Sequence, residues 1–160
     1  LHLYTLQFLT ILLSTKSLEL LLWYPSKKRG IRMLHHVEMN VSNLKESREF
    51  YDFLLPKLGY TLYQEWEKGF SYIYDDTYLV FVQTEEKHAE TAYHRGRTGL
   101  NHLAFHGESR KQVEDLTKQL INQGITILYK DRHPYAGGSQ YYAVFFEDPD
   151  RFKLEIVAPE

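Results

Sequence analysis

Three features of the 160-residue chain predict an α+β fold built from paired βαβββ modules forming a cupped mixed sheet, preceded by an extra N-terminal segment. A pattern that begins at His36 returns at His102. Each copy sets a segment of helical period between segments of strand period. The interval from that His to a later Gly is nearly the same, 23 residues to Gly59 and 22 to Gly124.

Each element follows from local chemistry. His36–Val41 alternates, with Val37, Met39 and Val41 on one side and His36, Glu38 and Asn40 on the other, as a half-buried strand requires. The helix over 43–55 has Ser42 or Asn43 to accept its free N–H groups, and Leu44, Phe50, Phe53 and Leu54 recur at helical spacing. Gly59 follows where a left-handed residue is easiest. Strands are predicted over 61–66, 70–74 and 78–84, with a turn at Asp75-Asp76. In the second copy, His102–His106 is the first strand, and Ser109 caps a helix to Asn122 that carries Val113, Leu116, Leu120 and Ile121. Strands over 126–128, 140–146 and 152–157 complete it, with a turn at Asp148-Pro149-Asp150. The modules span about 33–84 and 99–158 within one domain, 33–160, because neither half of about 60 residues buries much alone.

Composition excludes several classes. There is no cysteine, so disulfide scaffolds, Cys zinc sites and thiol catalysis are ruled out, and a cytoplasmic address is expected. A net charge of −2 argues against a nucleic-acid partner. Residues 1–32 carry +4 and the remainder −6, so the two parts differ in kind. The apolar run before Pro25 is interrupted by Lys16 and Glu19, and its basic cluster Lys27-Lys28-Arg29 follows the run instead of preceding it. Neither a spanning helix nor a secretory signal fits that order. Residues 1–32 are read as a helical or non-native extension, with a weak membrane anchor backed by Lys27-Lys28-Arg29 as the lesser alternative, and a membrane partner is not expected.

The strand faces point to a site. In the last strand, Lys153, Glu155 and Val157 share one side. His36, His102 and Glu155 therefore lie on the sides turned away from the apolar faces. Two imidazoles and a carboxylate suit a divalent metal, and they leave positions open for substrate. A single histidine on such a strand is more often structural; three donors at matching places in two copies strengthen the metal reading. Glu38 and His106 share the ligand side, and either is a candidate general base or outer partner of a ligand, with Glu38 taken as the catalytic candidate. Arg95, Arg97 and Arg132 lie in the two long loops and could clamp a carboxylate or phosphonate of a small-molecule substrate. Tyr141 and Tyr142 alternate, so one faces the cavity, and Tyr142 is assigned to substrate.

These residues resemble the vicinal oxygen chelate superfamily, which includes glyoxalase I, bleomycin-resistance proteins, fosfomycin-modifying thiol transferases and extradiol dioxygenases. The resemblance rests on Leu34-His35-His36-Val37, Phe50-Tyr51, Leu58-Gly59-Tyr60, Gly99–Phe105 and Phe146–Glu155. It implies a divalent ion (Zn, Ni, Mn or Fe) held by His36, His102 and Glu155, with Glu155 also catalytic. It places the fourth ligand near the end of the first module, where Gln83 fits the spacing and Glu85 is the alternative. It also implies a homodimer. Arg151 stands where the family's Asp-Pro-Asp-Gly turn carries Gly. The implied function is a metal-dependent lyase, isomerase, dioxygenase or thiol transferase acting through two substrate oxygens. The alternative is a non-catalytic, antibiotic-binding protein of the bleomycin-resistance kind.

Overall fold

The computed structural model describes residues 34–160. The expectations for 1–32 lie outside the described residues. Two four-stranded mixed sheets are present, each with one helix. The first module runs β1 (His36–Val41), α1 (Leu44–Leu54), a 3-10 turn (Leu55–Leu58), β2 (Thr61–Trp66), β3 (Gly69–Tyr74) and β4 (Thr77–Gln83). The second runs β5 (His102–His106), α2 (Arg110–Asn122), β6 (Ile127–Leu128), β7 (Ala143–Glu147) and β8 (Lys153–Val157). Their strand orders, β1-β4-β3-β2 and β5-β8-β7-β6, are the same pattern twice. In both, the first and last strands pair in parallel and the remaining pairs are antiparallel.

Local chemistry sets the helix ends. The Asn43 side chain accepts from the N–H groups of Lys45 and Glu46, and the Ser109 hydroxyl accepts from Gln112. Gly59 takes the left-handed conformation, φ 84°, after α1 and the turn that extends it. Ser47, Phe50, Tyr51 and Leu54 form the buried stripe of α1, and Val113, Leu116, Thr117 and Leu120 that of α2, each at i, i+3, i+4 and i+7. Ile121 falls one position past this stripe and is 53% exposed, contrary to its expected core place. β7 begins at Ala143, not 140, because the chain first turns through a Tyr141 N–H bond to the Gly138 carbonyl.

The two modules meet on their helix sides. Phe50 of α1 lies 6.4 Å from Phe146 of β7, and Tyr60 lies 6.0 Å from Phe105 of β5, centroid to centroid. The Tyr51 hydroxyl donates to Asp148, the Gln112 amide donates to the Lys57 carbonyl, and the Ser42 N–H donates to Asp150. A single apolar core draws on both modules, including Leu54, Phe81, Leu120 and Leu154. The opposite face of each sheet therefore looks away from this seam. No described helix is long and apolar enough to cross a membrane.

Candidate metal centre

The outer face of the second sheet brings His102 and Glu155 together. β5 and β8 run parallel with Ala104 opposite Glu155, so His102 stands one same-side residue before that pair. His102 Nε2 lies 3.1 Å from Glu155 Oε2. Glu155 is 2% exposed, and its Oε1 is buried with no hydrogen-bond partner. A buried carboxylate oxygen left without a partner costs about 1–3 kcal/mol or more, so the site awaits a cation, a proton or a donor.

A chain of hydrogen bonds decides how His102 is used. The Asn101 amide donates from Nδ2 to the Arg95 carbonyl over 3.1 Å. That orients Asn101 Oδ1 toward His102 Nδ1, 2.9 Å away. An amide oxygen only accepts, so Nδ1 carries a proton, and Nε2 is the ring nitrogen left to face Glu155, as a lone-pair donor to a cation or as an N–H donor to the carboxylate. A lone pair facing a carboxylate oxygen at 3.1 Å is repulsive unless a cation or proton lies between them. Metal–nitrogen and metal–oxygen bonds of about 2.1 Å at ordinary coordination angles put neighbouring donors roughly 3 Å apart. The pair thus fits a divalent ion in donor type and in spacing, and Asn101 is the outer partner that fixes the imidazole.

Around this pair the face is aromatic and charged. The Tyr141 hydroxyl approaches Glu155; that hydrogen-bonding contact, then burial, then the carboxylate's charge push its pKa up to about 12. Tyr129 meets Phe145 edge-on at 5.5 Å. Lys153 lies in register with His102 on one side and Glu147 on the other. Glu147 is paired with Arg95 and lies 3.7 Å from Arg151 Nε.

The other expected site residues are distributed differently. His36 is exposed on the outer face of the first sheet, where it stacks on Tyr78 at 4.8 Å and its Nδ1 lies 2.8 Å from His35 Nδ1. Among the described residues no three His, Asp or Glu side chains gather closely enough within the chain to hold one ion. Glu38 is also on the first sheet, not beside Glu155; it borders a groove of about 690 Å³ with Asn40, Tyr93, Leu100 and Phe152. Arg95 joins the face through Glu147. Arg97 reaches the Ala92 carbonyl at 3.5 Å within its own loop, and Arg132 lies 5.0 Å over the Tyr129 ring.

Two assignments need correcting. Gln83 pairs with Val41, on the helix side of the first sheet. Its Oε1 accepts from the Leu44 N–H at 3.0 Å and its Nε2 donates to the Ser42 carbonyl at 2.8 Å, so its amide is committed to the start of α1. The register counterpart of Glu155 is Val80, which pairs with Glu38 as Glu155 pairs with Ala104. A valine brings no donor. The alternation of Leu79 and Phe81 with Gln83 carried this signal, since large apolar residues mark the core side. Tyr142, likewise, points to the helix side, where its hydroxyl donates to Glu114 at 2.5 Å; Tyr141 takes the place beside Glu155. Asn101 had no role assigned from sequence, and a side-chain amide directly before the histidine was the only hint.

The comparisons agree with this fold. Residues 33–156 match the family model described as the Glyoxalase/Bleomycin resistance protein/Dioxygenase superfamily. The chain is 54% identical over 126 residues to the protein YqjT of Bacillus subtilis (strain 168), covering 79% of this chain and 98% of that one. The crystal structure of a putative glyoxalase from Bacillus halodurans is 60% identical, with a TM-score of 0.78, over 79% of this chain and 96% of that chain. The fosfomycin resistance protein FosX of Listeria monocytogenes, 18% identical with a TM-score of 0.60 over 81% of this chain and 95% of that chain, shares the fold. With a family match over most of its length and relatives of this similarity, the chain belongs to the glyoxalase/bleomycin resistance protein/dioxygenase superfamily.

Proposed function

We propose that the chain is a metal-dependent enzyme acting on a small substrate that offers two neighbouring oxygens, and that it works as a homodimer. His102 and Glu155 supply two donors, and His36 of a second copy supplies the third. The observation that carries this reading is the His102–Glu155 pair, an imidazole Nε2 oriented at 3.1 Å against a carboxylate whose other oxygen is buried without a partner. The split of the donors between outer faces supports completion by a second copy, because no three such donors gather among the described residues. A divalent ion there supplies Lewis acidity and open positions for substrate oxygens. Glu155 Oε1, free of any hydrogen bond, is the atom that can take a proton from a substrate carbon or hydroxyl. Tyr141, with its pKa near 12, stays protonated at neutral pH and remains a donor.

Elemental analysis of tag-free protein tests the reading. We expect about one divalent ion per chain, lost in H102A and E155Q with the fold retained. Mixing unfolded H36A and H102A chains and refolding them should restore metal to about one site in four, because each mixed dimer rebuilds one intact set. Full metal occupancy in H102A overturns the assignment. A second reading is favoured by the aromatic face of Tyr129, Tyr141 and Phe145 around the pair: a non-catalytic binder that seats a small molecule there. Wild-type protein that takes up no metal on reconstitution selects it.

A further inference from the structure

Lys153 stands on the same face as Glu155, two residues earlier on β8, and is 9% exposed. Lysine is rarely this buried unless it is paired. Here the stem is buried, while the ammonium reaches the surface of the face and makes no hydrogen bond or ion pair with another described residue; its neighbour is the Phe145 ring, 5.9 Å from Nζ to centroid. Phe145 is the register partner of Glu155, so the Lys153 side chain leans along the face from the row it shares with His102 toward the row that holds Glu155. The adjacent carboxylate, Glu147, is already engaged by Arg95 and Arg151. This patch thus carries three cations, Lys153, Arg95 and Arg151, against two carboxylates, Glu147 and Glu155. A cation on this face with no carboxylate engaged to it is a preformed place for an anion.

We propose that Lys153 anchors the anionic group, carboxylate or phosphonate, of the substrate whose oxygens reach the His102–Glu155 pair. This rests on the function proposed above and names its substrate class: small, acidic molecules. Two residues along one side of a strand span about 6.6 Å. The anionic group of such a substrate therefore lies a few bonds from the oxygens at the His102–Glu155 end. Arg95, held by Glu147, shapes the rim of the same patch.

The test separates the two claims by using protein stripped of metal on a chelating resin. Acetate and methylphosphonate are titrated into wild type, K153M and K153R, and the tighter probe names the group. We expect K153M to weaken the tighter probe at least about tenfold, and K153R to stay within about threefold, because a charge-assisted contact is lost in one and kept in the other. Raising salt should weaken wild-type binding and leave residual binding to K153M nearly unchanged. Metal content is measured on the same variants before stripping, and K153M should match wild type because an ammonium is not a metal donor. Wild-type affinity in K153M, or no binding of either probe to wild type, overturns the anchor whatever the metal result. Loss of metal from K153M overturns the separation of roles argued here.

Discussion

Replacing Tyr51 by phenylalanine deletes one oxygen at the seam between the modules. Tyr51 is 1% exposed, and its hydroxyl donates to Asp148 Oδ2 at 2.8 Å. Asp148 Oδ1 also accepts from the Phe152 N–H at 2.8 Å. Burial nevertheless dominates and raises the Asp148 pKa from 3.8 to about 7, with the Tyr51 hydrogen bond pulling it down. The folded chain therefore binds more protons at this group than the unfolded chain between about pH 4 and 7. The contribution of Asp148 to stability is fully present below pH 4 and is lost as pH rises through 7. Roughly three pKa units at 1.36 kcal/mol each set a ceiling of about 4 kcal/mol on that loss. Y51F removes a donor that eases the charged form. Its cost should be about 2–3 kcal/mol at pH 8, where Asp148 is ionised, and about 1 kcal/mol at pH 5, where it is neutral. Urea unfolding followed by circular dichroism at both pH values measures this directly. D148N should flatten the fall in stability between pH 5 and 8. Equal Y51F penalties at the two pH values, or less than about 0.5 kcal/mol at pH 8, would refute the seam as a charge-sensitive contact.

Two further outcomes follow from the site. Q83M should lower stability by about 1 kcal/mol through loss of the bond to the Leu44 N–H, while metal content stays at the wild-type level; a metal-depleted Q83M would restore glutamine as a ligand. N101L should leave the melting temperature near wild type yet weaken metal binding about 10–100-fold, because the His102 ring loses the acceptor that fixes its tautomer; unchanged affinity would remove Asn101 from the site.

Most of the fold was legible because its signals are local. The helices end where Asn43, Ser109, Gly59 and Gly124 say they should, and the alternation in β1, β5 and β8 sorted His36, His102 and Glu155 onto the side away from the core. What sequence could not supply was register. The alternation in β4 puts Gln83 and Val80 on opposite faces, but that Val80 is the counterpart of Glu155 depends on which residue of β1 it opposes, and hydrogen bonding between strands sets that. Tyr141 and Tyr142 were an even choice until the turn at Gly138 fixed where β7 begins. Nor does sequence say which sides of two modules meet. Phe50, Phe146, Tyr60 and Phe105 join the helix sides, and that contact sends His36 and His102 to different outer faces.

The identical strand order of the two halves invites a reading in terms of gene duplication. In one register pair, the first half carries its carboxylate on the opening strand and an aliphatic residue on the closing strand, Glu38 with Val80. The second half carries the reverse, Ala104 with Glu155. The two halves thus differ in which strand carries the negative charge on a single rung. Both members of that rung lie on the side away from the helices. Selection can therefore add, delete or relocate an acid there while the shared core goes on holding the halves together.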